Sequence, residues 1–278
     1  MRAAVLLDLD DVTFIEPAYE RLVDDIFTQM LVSMPGKKAK LLISEDEWPL
    51  ALAVFDGRTW KAGSFLLRTP NEQVIERAEL LEADILQEER TEWEAAVREY
   101  YSMIVAKEVV PAIEDFTPAR ALQVADLLRE RWGDTEGEGC IDACCGSGIG
   151  SVALRDVGMI AMSFDNDPSL LSLGLRTGRL LPEDTMCIDG TRATSYLKHA
   201  HFGVILMAGK IGPHNQIVWH KILSEMLELT EHTLVTLETE NEGQLVASWA
   251  RERNRKVELL QNHRDPFYDG WVCDIRRV

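Results

Sequence analysis

The stretch IDACCGSGIGS, residues 141–151, decides the fold of the second half of this chain. It follows a short apolar run that predicts a strand, and it leads into residues 152–157, whose pattern predicts a helix. Gly146, Gly148 and Gly150 carry no Cβ, so the backbone of this turn can approach a ligand closely. In open α/β sheets ligands bind at the carboxyl ends of the strands, which predicts a ligand site at this turn.

Short apolar runs alternate with helical segments after Gly139, and this alternation predicts a parallel sheet with helices on both faces. The expected strands are Cys140–Asp142, Met159–Phe164, Thr185–Ile188, Phe202–Met207 and Thr233–Leu237. The last two runs, Val257–Gln261 and Trp271–Arg277, are joined only by a loop, which suits an antiparallel pair. We therefore predict an α/β fold with a mostly parallel sheet and an antiparallel last strand.

Acidic residues stand at the expected ends of three of these strands. Asp142 precedes the glycine turn, Asp165 lies 17 residues after Gly148, and Asp189 follows the third strand. A carboxylate at the tip of the second strand can accept hydrogen bonds from both ribose hydroxyls of an adenosine group. A carboxylate at the end of the third strand can accept a hydrogen bond from the exocyclic amine of adenine. Capping aspartates on an unrelated α/β sheet are the alternative interpretation.

On these residues the sequence resembles the class I S-adenosylmethionine (SAM)-dependent methyltransferases, whose Rossmann-like sheet has an antiparallel seventh strand. The resemblance covers about 160 residues and implies SAM as cofactor. It implies that Asp142 helps to hold the methionine amino group, that Asp165 binds the ribose and that Asp189 binds the adenine edge. The predicted cofactor-binding residues are Thr117, Asp142, Cys144, Cys145, Gly146, Ser147, Gly148, Asp165, Asn166, Asp189 and Gly190.

The sequence departs from the family pattern at two places. Cys144 replaces the first motif glycine and adds a side chain where the backbone must turn tightly. The turn and Phe116-Thr117-Pro118 are similar to segments of enzymes that methylate amino groups of nucleic acids, in which the threonine can contact the SAM carboxylate. Those enzymes carry an Asn/Asp-Pro-Pro-aromatic motif after strand four, whereas this chain has Leu206–Gly212 there.

The charge of the chain also bears on the acceptor. A formal net charge of −18 repels phosphate backbones, so nucleic acid is a disfavoured partner. We expect a methyltransferase that acts on a small molecule or a protein side chain. A protein that binds SAM without catalysis, with its acidic helices docking a partner, is the first alternative, and an enzyme that methylates amino groups of nucleic acids is the second.

Catalytic candidates are few, because methyl transfer depends mainly on alignment, with a base only where the acceptor loses a proton. The loop after strand four should face the acceptor and offers Lys210, His214, Asn215 and, further on, His220. A solvent-exposed lysine and a histidine that caps a surface helix are the alternatives for Lys210 and His214. Glu238 and Glu240 follow strand five and are further candidates. No catalytic base is assigned.

We predict an N-terminal α+β and helical region over residues 1–115 and the SAM-binding domain over residues 116–278. By resemblance, the first region would cover the acceptor side. The expected N-terminal elements are a strand at Ala3–Leu7, a helix at Pro17–Met34, strands at Lys40–Ser44, Leu50–Phe55 and Thr59–Leu67, and helical pattern from Asn71 to about Val109. Asp56-Gly57 predicts the turn of a hairpin. A helix at Pro118–Trp132 would have Thr117 at its N-cap.

Two other enzyme classes share part of this sequence pattern. The run Val5–Val12 is similar to the first motif of haloacid-dehalogenase-type phosphatases, but the later acidic pair that binds magnesium in that family is not found before residue 140, and a strand leading into an acidic turn is the favoured interpretation. A nicotinamide-dependent oxidoreductase would need GxGxxG, and Ser151 stands where its last glycine would be. The five cysteines show neither disulfide nor zinc spacing, so no metal is expected. We expect a cytoplasmic protein without a membrane segment, which could form a homodimer.

Overall fold

The computed structural model describes residues 1–114 and 116–278, and the chain divides into two compact units, Met1–Ile104 and Val105–Val278. No helix within the described residues is long and apolar enough to cross a lipid bilayer. The two units contain separate sheets, of five and seven strands. The predicted division into domains at residue 115 remains a prediction.

The N-terminal unit is built on the five-stranded sheet. Its helices are α1 (Arg2–Leu6), α2 (Ile26–Ser33), α3 (Glu72–Leu80) and the beginning of α4 (Arg90–Glu108). Its strands are β1 (Thr13–Phe14), β2 (Lys38–Ile43), β3 (Pro49–Phe55), β4 (Trp60–Ser64) and β5 (Asp84–Gln87), in the order β1-β4-β3-β2-β5. The strands β2, β3 and β4 pair antiparallel, while β1 and β5 lie parallel to their neighbours.

The hairpin prediction for this unit is confirmed, because β3 and β4 pair antiparallel around Asp56-Gly57. The Asp56 carboxylate accepts hydrogen bonds from the backbone N–H groups of Arg58 and Thr59, and Gly57 has a φ of +105°. These features fix the turn, since an aspartate side chain can bond backbone two residues further on and glycine tolerates positive φ.

Three N-terminal predictions are wrong. Residues 3–7 lie in or directly after helix α1, with Ala3, Ala4 and Leu7 buried at helical spacing rather than in strand alternation. The helix expected over 17–34 is divided into a 3₁₀ turn at Tyr19–Val23 and α2. The helical pattern over 71–109 is interrupted by β5, which gains its hydrogen bonds from pairing with β2.

The C-terminal unit carries the seven-stranded sheet. After the end of α4 its helices are α5 (Pro118–Trp132), α6 (Ile149–Asp156), α7 (Pro168–Arg176), α8 (Gln216–Leu229) and α9 (Glu240–Glu252). Its strands are β6 (Gly139–Ala143), β7 (Ile160–Asp165), β8 (Thr185–Cys187), β9 (Ala200–Ile205), β10 (Thr230–Leu237), β11 (Arg255–Gln261) and β12 (Trp271–Arg277). All seven strands were predicted, with ends that differ by at most three residues.

The order of this sheet is β11-β12-β10-β9-β6-β7-β8. The five strands β6 to β10 run parallel, and β12 lies antiparallel between β10 and β11. The predicted antiparallel pair is therefore confirmed. In this order β6 lies between β9 and β7, and the strand order reverses direction there, so the glycine turn that follows β6 lies at the switch point of the sheet, where open α/β sheets bind ligands.

Apolar side chains on α5 and α6 pack on one face of the sheet and hold this switch point in place. The cluster includes Val124, Leu128, Leu154, Val204 and Leu234, each at most 2% exposed. Burying each such side chain stabilises the fold by about 1.5–3 kcal/mol. The helix that leads away from the glycine turn is thereby fixed against the sheet, and the turn is held between two buried elements.

Candidate functional site

The glycine turn between β6 and α6 adopts a conformation that its glycines make possible. Gly146 and Gly148 have φ of +55° and +93°. A Cβ on Gly148 would lie 2.9 Å from Leu180 Cγ, and one on Gly150 would lie 2.6 Å from Asp142 Oδ1. The space beside Gly146 is open to 4 Å. The turn is therefore closed by packing on its inner side and free on the side that a ligand would approach.

Cys144 occupies the first turn position in a left-handed conformation, with a φ of +53°. Residues other than glycine adopt this conformation at a cost of about 1–3 kcal/mol, which the surrounding structure must offset. A side chain was expected to be unfavourable at this tight turn, and the structure shows the effect as strain in the backbone of Cys144. The next residue, Cys145, donates its backbone N–H to the carbonyl of Phe164 and packs with Leu171 and Leu180.

Asp165 ends β7 and is hydrogen-bonded to the glycine turn. Its Oδ2 accepts from the backbone N–H of Gly146 at 2.9 Å, and its Oδ1 accepts from that of Asp167 at 2.8 Å. Burial raises the pKa of this carboxyl, and the backbone hydrogen bonds oppose that rise. A carboxylate has about four lone-pair sites, so two remain for further donors. Asn166 beside it is exposed.

Asp142 lies beneath the turn, with 1% of its surface exposed. Its Oδ2 accepts from Ser151 Oγ at 2.7 Å, while its Oδ1 is buried and has no partner among the described residues. Burial, and to a lesser degree the neighbouring Asp165, raise the pKa of this carboxyl to about 7. An unpartnered buried carboxylate oxygen is costly, so this atom is a natural place for an added donor.

Asp189 follows β8 and is exposed, and its carboxylate accepts from the backbone N–H of Thr191 at 2.8 Å. The three strand-end carboxylates lie at one edge of the sheet, because β6, β7 and β8 are adjacent parallel strands, and the thiol of Cys144 lies near all three. Its pKa is raised far above the ordinary value by burial and then by the charges of Asp165, Asp142 and Asp189. The structure thus brings together the three carboxylates predicted from the sequence, and the same field disfavours a reactive thiolate at Cys144.

The remaining predicted cofactor residues fall around the same edge. Ser147 and Gly190 are buried, and a Cβ on Gly190 would lie 3.2 Å from Phe164. Thr117 is exposed at the N-cap of α5, and its side chain makes no capping hydrogen bond. Arg120, in the first turn of α5, is bonded through Asp269 to Thr236 near the end of β10, so the start of α5 lies at the carboxyl edge of the sheet. None of these positions conflicts with the predicted set.

The loop that follows β9, residues 207–215, will be called the β9 loop. The backbone N–H groups of Met207 and Ala208 donate to Oγ1 and to the carbonyl of Thr236, and that of Ile211 donates to Glu242. Asn215 accepts from Gly212 and donates to the Lys210 carbonyl. The loop is thus fixed by hydrogen bonds at both ends and in the middle, so its conformation is largely set before any ligand arrives.

Lys210 and His214 project from this loop and are exposed. Glu238 and Glu240 are exposed as well, beyond the end of β10. His220 is packed edge-on against Trp249, with ring centroids 5.2 Å apart. The structure leaves Lys210 and His214 as candidates and gives His220 a packing role.

Sequence reasoning missed the buried polar residues that hold the β9 loop. Thr236 and Glu242 are its direct partners, and Asp269 is bonded to Thr236. Glu242 had a local signal, because Thr239 and Glu242 form a capping box at the start of α9. Thr236 and Asp269 had none, since their bonds join residues far apart in sequence.

The run Val5–Val12 does not form the strand on which the phosphatase interpretation depends. Asp8 follows helix α1 and forms an ion pair with Lys40 at 2.6 Å. Both line a cleft of about 680 Å³ in the N-terminal unit. The strand-tip aspartate of that family has no counterpart here.

The strand order of the C-terminal unit is that of the Rossmann-like class I methyltransferases: five parallel strands, with the last strand antiparallel between the fifth and the sixth. No protein-family model and no curated protein matches the chain. Among solved structures, the chain is similar to a magnesium protoporphyrin IX methyltransferase from Synechocystis with bound SAM, at 11% identity and a TM-score of 0.45, over 66% of this chain and 97% of that one.

Two further solved structures resemble the chain. One is an rRNA methylase from Streptococcus thermophilus, at 17% identity and a TM-score of 0.41, over 60% of this chain and 99% of that one. The other is a precorrin-6y C5,15-methyltransferase from Geobacter metallireducens, at 11% identity and a TM-score of 0.42, over 60% and 92%. What identifies the fold of this chain is the strand order itself, with the glycine turn at the switch point.

Proposed function

We propose that the C-terminal unit binds SAM and transfers its methyl group to a small-molecule or protein acceptor. The observation that carries the proposal is the position of Asp165, which holds the glycine turn through Gly146 and retains lone pairs for two hydroxyl donors. SAM supplies an activated methyl group on a sulfonium, so the chain itself needs only to bind, align and shield the reactants.

The residues of the site fit such a cofactor. Asp165 would accept hydrogen bonds from the ribose hydroxyls, and the exposed Asp189 would accept one from the adenine amine. The unpartnered Oδ1 of Asp142 is suited to the methionine ammonium group, which would supply the missing donor and stabilise the ionised carboxylate. The open side of Gly146 would let the cofactor approach the backbone of the turn closely. The Thr117 hydroxyl makes no capping hydrogen bond and would be available to the cofactor at the same edge.

The charge supports an acceptor other than nucleic acid. A surface with a net charge of −18 repels polyphosphate over a distance of about 10 Å at ordinary salt. The β9 loop also lacks the Asn/Asp-Pro-Pro-aromatic sequence of the enzymes that methylate amino groups of nucleic acids. Lys210 and His214 are the side chains available there to exchange a proton with an acceptor.

Calorimetric titration with SAM tests the proposal. Asp165→Ala should weaken binding by about 2–4 kcal/mol, because two charge-assisted hydrogen bonds to the ribose are lost. Asp167→Ala is the matched control: it removes a neighbouring carboxylate that caps α7 through Ser169, and it should leave SAM affinity within about twofold. A wild-type protein that takes up no SAM, or an Asp165→Ala variant with wild-type affinity, would contradict the proposal.

A further inference from the structure

Four elements of the C-terminal unit are joined by one buried chain of hydrogen bonds. Arg120 on α5 donates to both carboxylate oxygens of Asp269, at 2.9 and 3.2 Å. Thr236 Oγ1 on β10 donates to the same carboxylate and accepts from the backbone N–H of Met207 at 2.7 Å. Arg120, Asp269 and Thr236 are 9%, 1% and 0% exposed. The chain of hydrogen bonds therefore runs from α5 to the first residue of the β9 loop through buried side chains.

The chain of hydrogen bonds ends at Met207, whose backbone is strained. Met207 has a φ of +51° and is 42% exposed. A residue with a side chain holds such a conformation only where its surroundings determine it. Thr236 holds this conformation by accepting two hydrogen bonds: its hydroxyl oxygen accepts from the Met207 N–H and its carbonyl accepts from the Ala208 N–H.

The Asp269 end of the chain is also fixed. The side chain of Asn262 donates to the Asp269 carbonyl at 2.9 Å, and the guanidinium of Arg120 lies over the ring of Tyr268 with 5.2 Å to its centroid. A bidentate arginine–carboxylate pair sets orientation as well as energy. The Asp269 oxygen that meets Thr236 is thus held in one position.

Met207, which these hydrogen bonds hold, lies beside the proposed cofactor site. Ile205 of β9 is paired with Ala143 of β6, so Met207 lies just past the strand tip that neighbours the glycine turn. Building on the proposed function, we propose that Thr236 and Asp269 are positioning residues that hold Met207 at the methyl-transfer end of the cofactor. A thioether, which donates no hydrogen bond, then borders the acceptor, and the acceptor presents an apolar surface to this position.

Methionine-methyl ¹³C NMR tests the proposal without an acceptor. The chain has nine methionines, and Met207→Leu assigns the Met207 signal. In the wild-type protein SAM should shift this signal. Thr236→Val should broaden or move it in the free protein and abolish its response to SAM, while calorimetry gives a SAM affinity within about threefold of wild type. Thr236→Ser retains the hydroxyl and should restore both behaviours.

Thr233→Val is the matched control, because Thr233 is a buried threonine of the same strand whose hydroxyl pairs with Thr230 instead. It should leave the Met207 signal and its response unchanged. A Thr236→Val protein with a wild-type Met207 signal and SAM response would overturn the proposal. A wild-type protein that binds SAM with no effect on Met207 would overturn the placement beside the cofactor, and one that binds no SAM would instead overturn the proposed function.

Discussion

Cys144 and Met207 adopt matching left-handed conformations, with φ of +53° and +51°, just past Ala143 and Ile205, which are paired on adjacent parallel strands. Two strained residues therefore stand side by side at the carboxyl edge, at the switch point of the sheet. Backbone strain of this kind clusters at functional sites. Here it lies at the turn proposed for the cofactor and at the start of the loop proposed for the acceptor.

Cys144→Gly should leave the free energy of unfolding within about 1 kcal/mol of wild type, or raise it slightly. Glycine relieves the left-handed strain, which offsets its larger loss of backbone entropy, about 0.5–1 kcal/mol. Cys145→Gly is the comparison, since Cys145 is buried among Leu171 and Leu180. It should lower stability by about 1–3 kcal/mol. Urea denaturation of both variants measures the difference, and equal losses would contradict the assignment of strain to Cys144.

Stability should fall as pH rises from 5 to 8, and Asp142 should account for part of the fall. Its pKa is about 7 in the folded protein against an ordinary value of 3.8, so between these values the folded state binds a proton that the unfolded state releases. This contribution is fully present below pH 4 and is lost as pH rises through 7. It amounts to about 3 kcal/mol between pH 5 and pH 8.

Asp142→Asn keeps an acceptor for Ser151 and removes the titration. The variant should lack this loss between pH 5 and pH 8, so its stability relative to wild type should rise by about 3 kcal/mol over that interval, in urea unfolding at both values. Asp126→Asn removes an exposed carboxylate as a control and should leave the pH dependence unchanged. Parallel pH profiles for wild type and Asp142→Asn would show that Asp142 is ionised in the folded state throughout.

Asn215→Ala should loosen the β9 loop, because it removes the bonds to the Gly212 N–H and to the Lys210 carbonyl. Each bond contributes about 1 kcal/mol. Hydrogen exchange measured by mass spectrometry should become faster in residues 209–214 and stay unchanged in β6. His214→Ala alters an exposed side chain of the same loop and should not change its exchange. If both variants behave alike, Asn215 does not hold the loop.

Arg68→Met should destabilise the N-terminal unit by about 3–5 kcal/mol, because it leaves Glu16 buried without its charged partner. The side chains of Arg68 and Glu16 are 1% and 0% exposed, and burial already raises the Glu16 pKa. Arg21→Met removes an exposed ion pair with Asp24 and should change stability by at most about 1 kcal/mol. Thermal unfolding of the two variants distinguishes them, and similar losses would argue against a special role for the buried pair.

Local patterns were sufficient to predict the C-terminal fold. The glycine turn, the acidic strand ends and the short connection before Trp271 each depend on neighbouring residues, and each was found from the sequence. The helix at 2–6 was mistaken for a strand because a five-residue apolar run carries too little periodicity to separate the two. The strand β5 was missed because its pairing with β2 prevails over a weak local helical pattern.

The residues that organise the acceptor side could not be predicted in this way. Arg120 and Asp269 are 149 residues apart, and Thr236 and Asp269 are 33 apart. No periodicity or motif links such positions, and only the folded sheet brings them within hydrogen-bond distance. Asp142, by contrast, was found by its place before the turn, but its burial and unpartnered oxygen depend on the packing of α6 over it.

The place of β12 in the sheet has a consequence for how the chain is made. Synthesis proceeds from the N-terminus, so β10 and β11 leave the ribosome before the strand that must lie between them. Until β12 arrives, the nascent protein presents β10 as an open edge with unpaired backbone groups, which can capture a strand of another chain. This edge is covered only when β12 pairs with β10 and β11. Translation products that lack β12 should therefore be the aggregation-prone species of this protein.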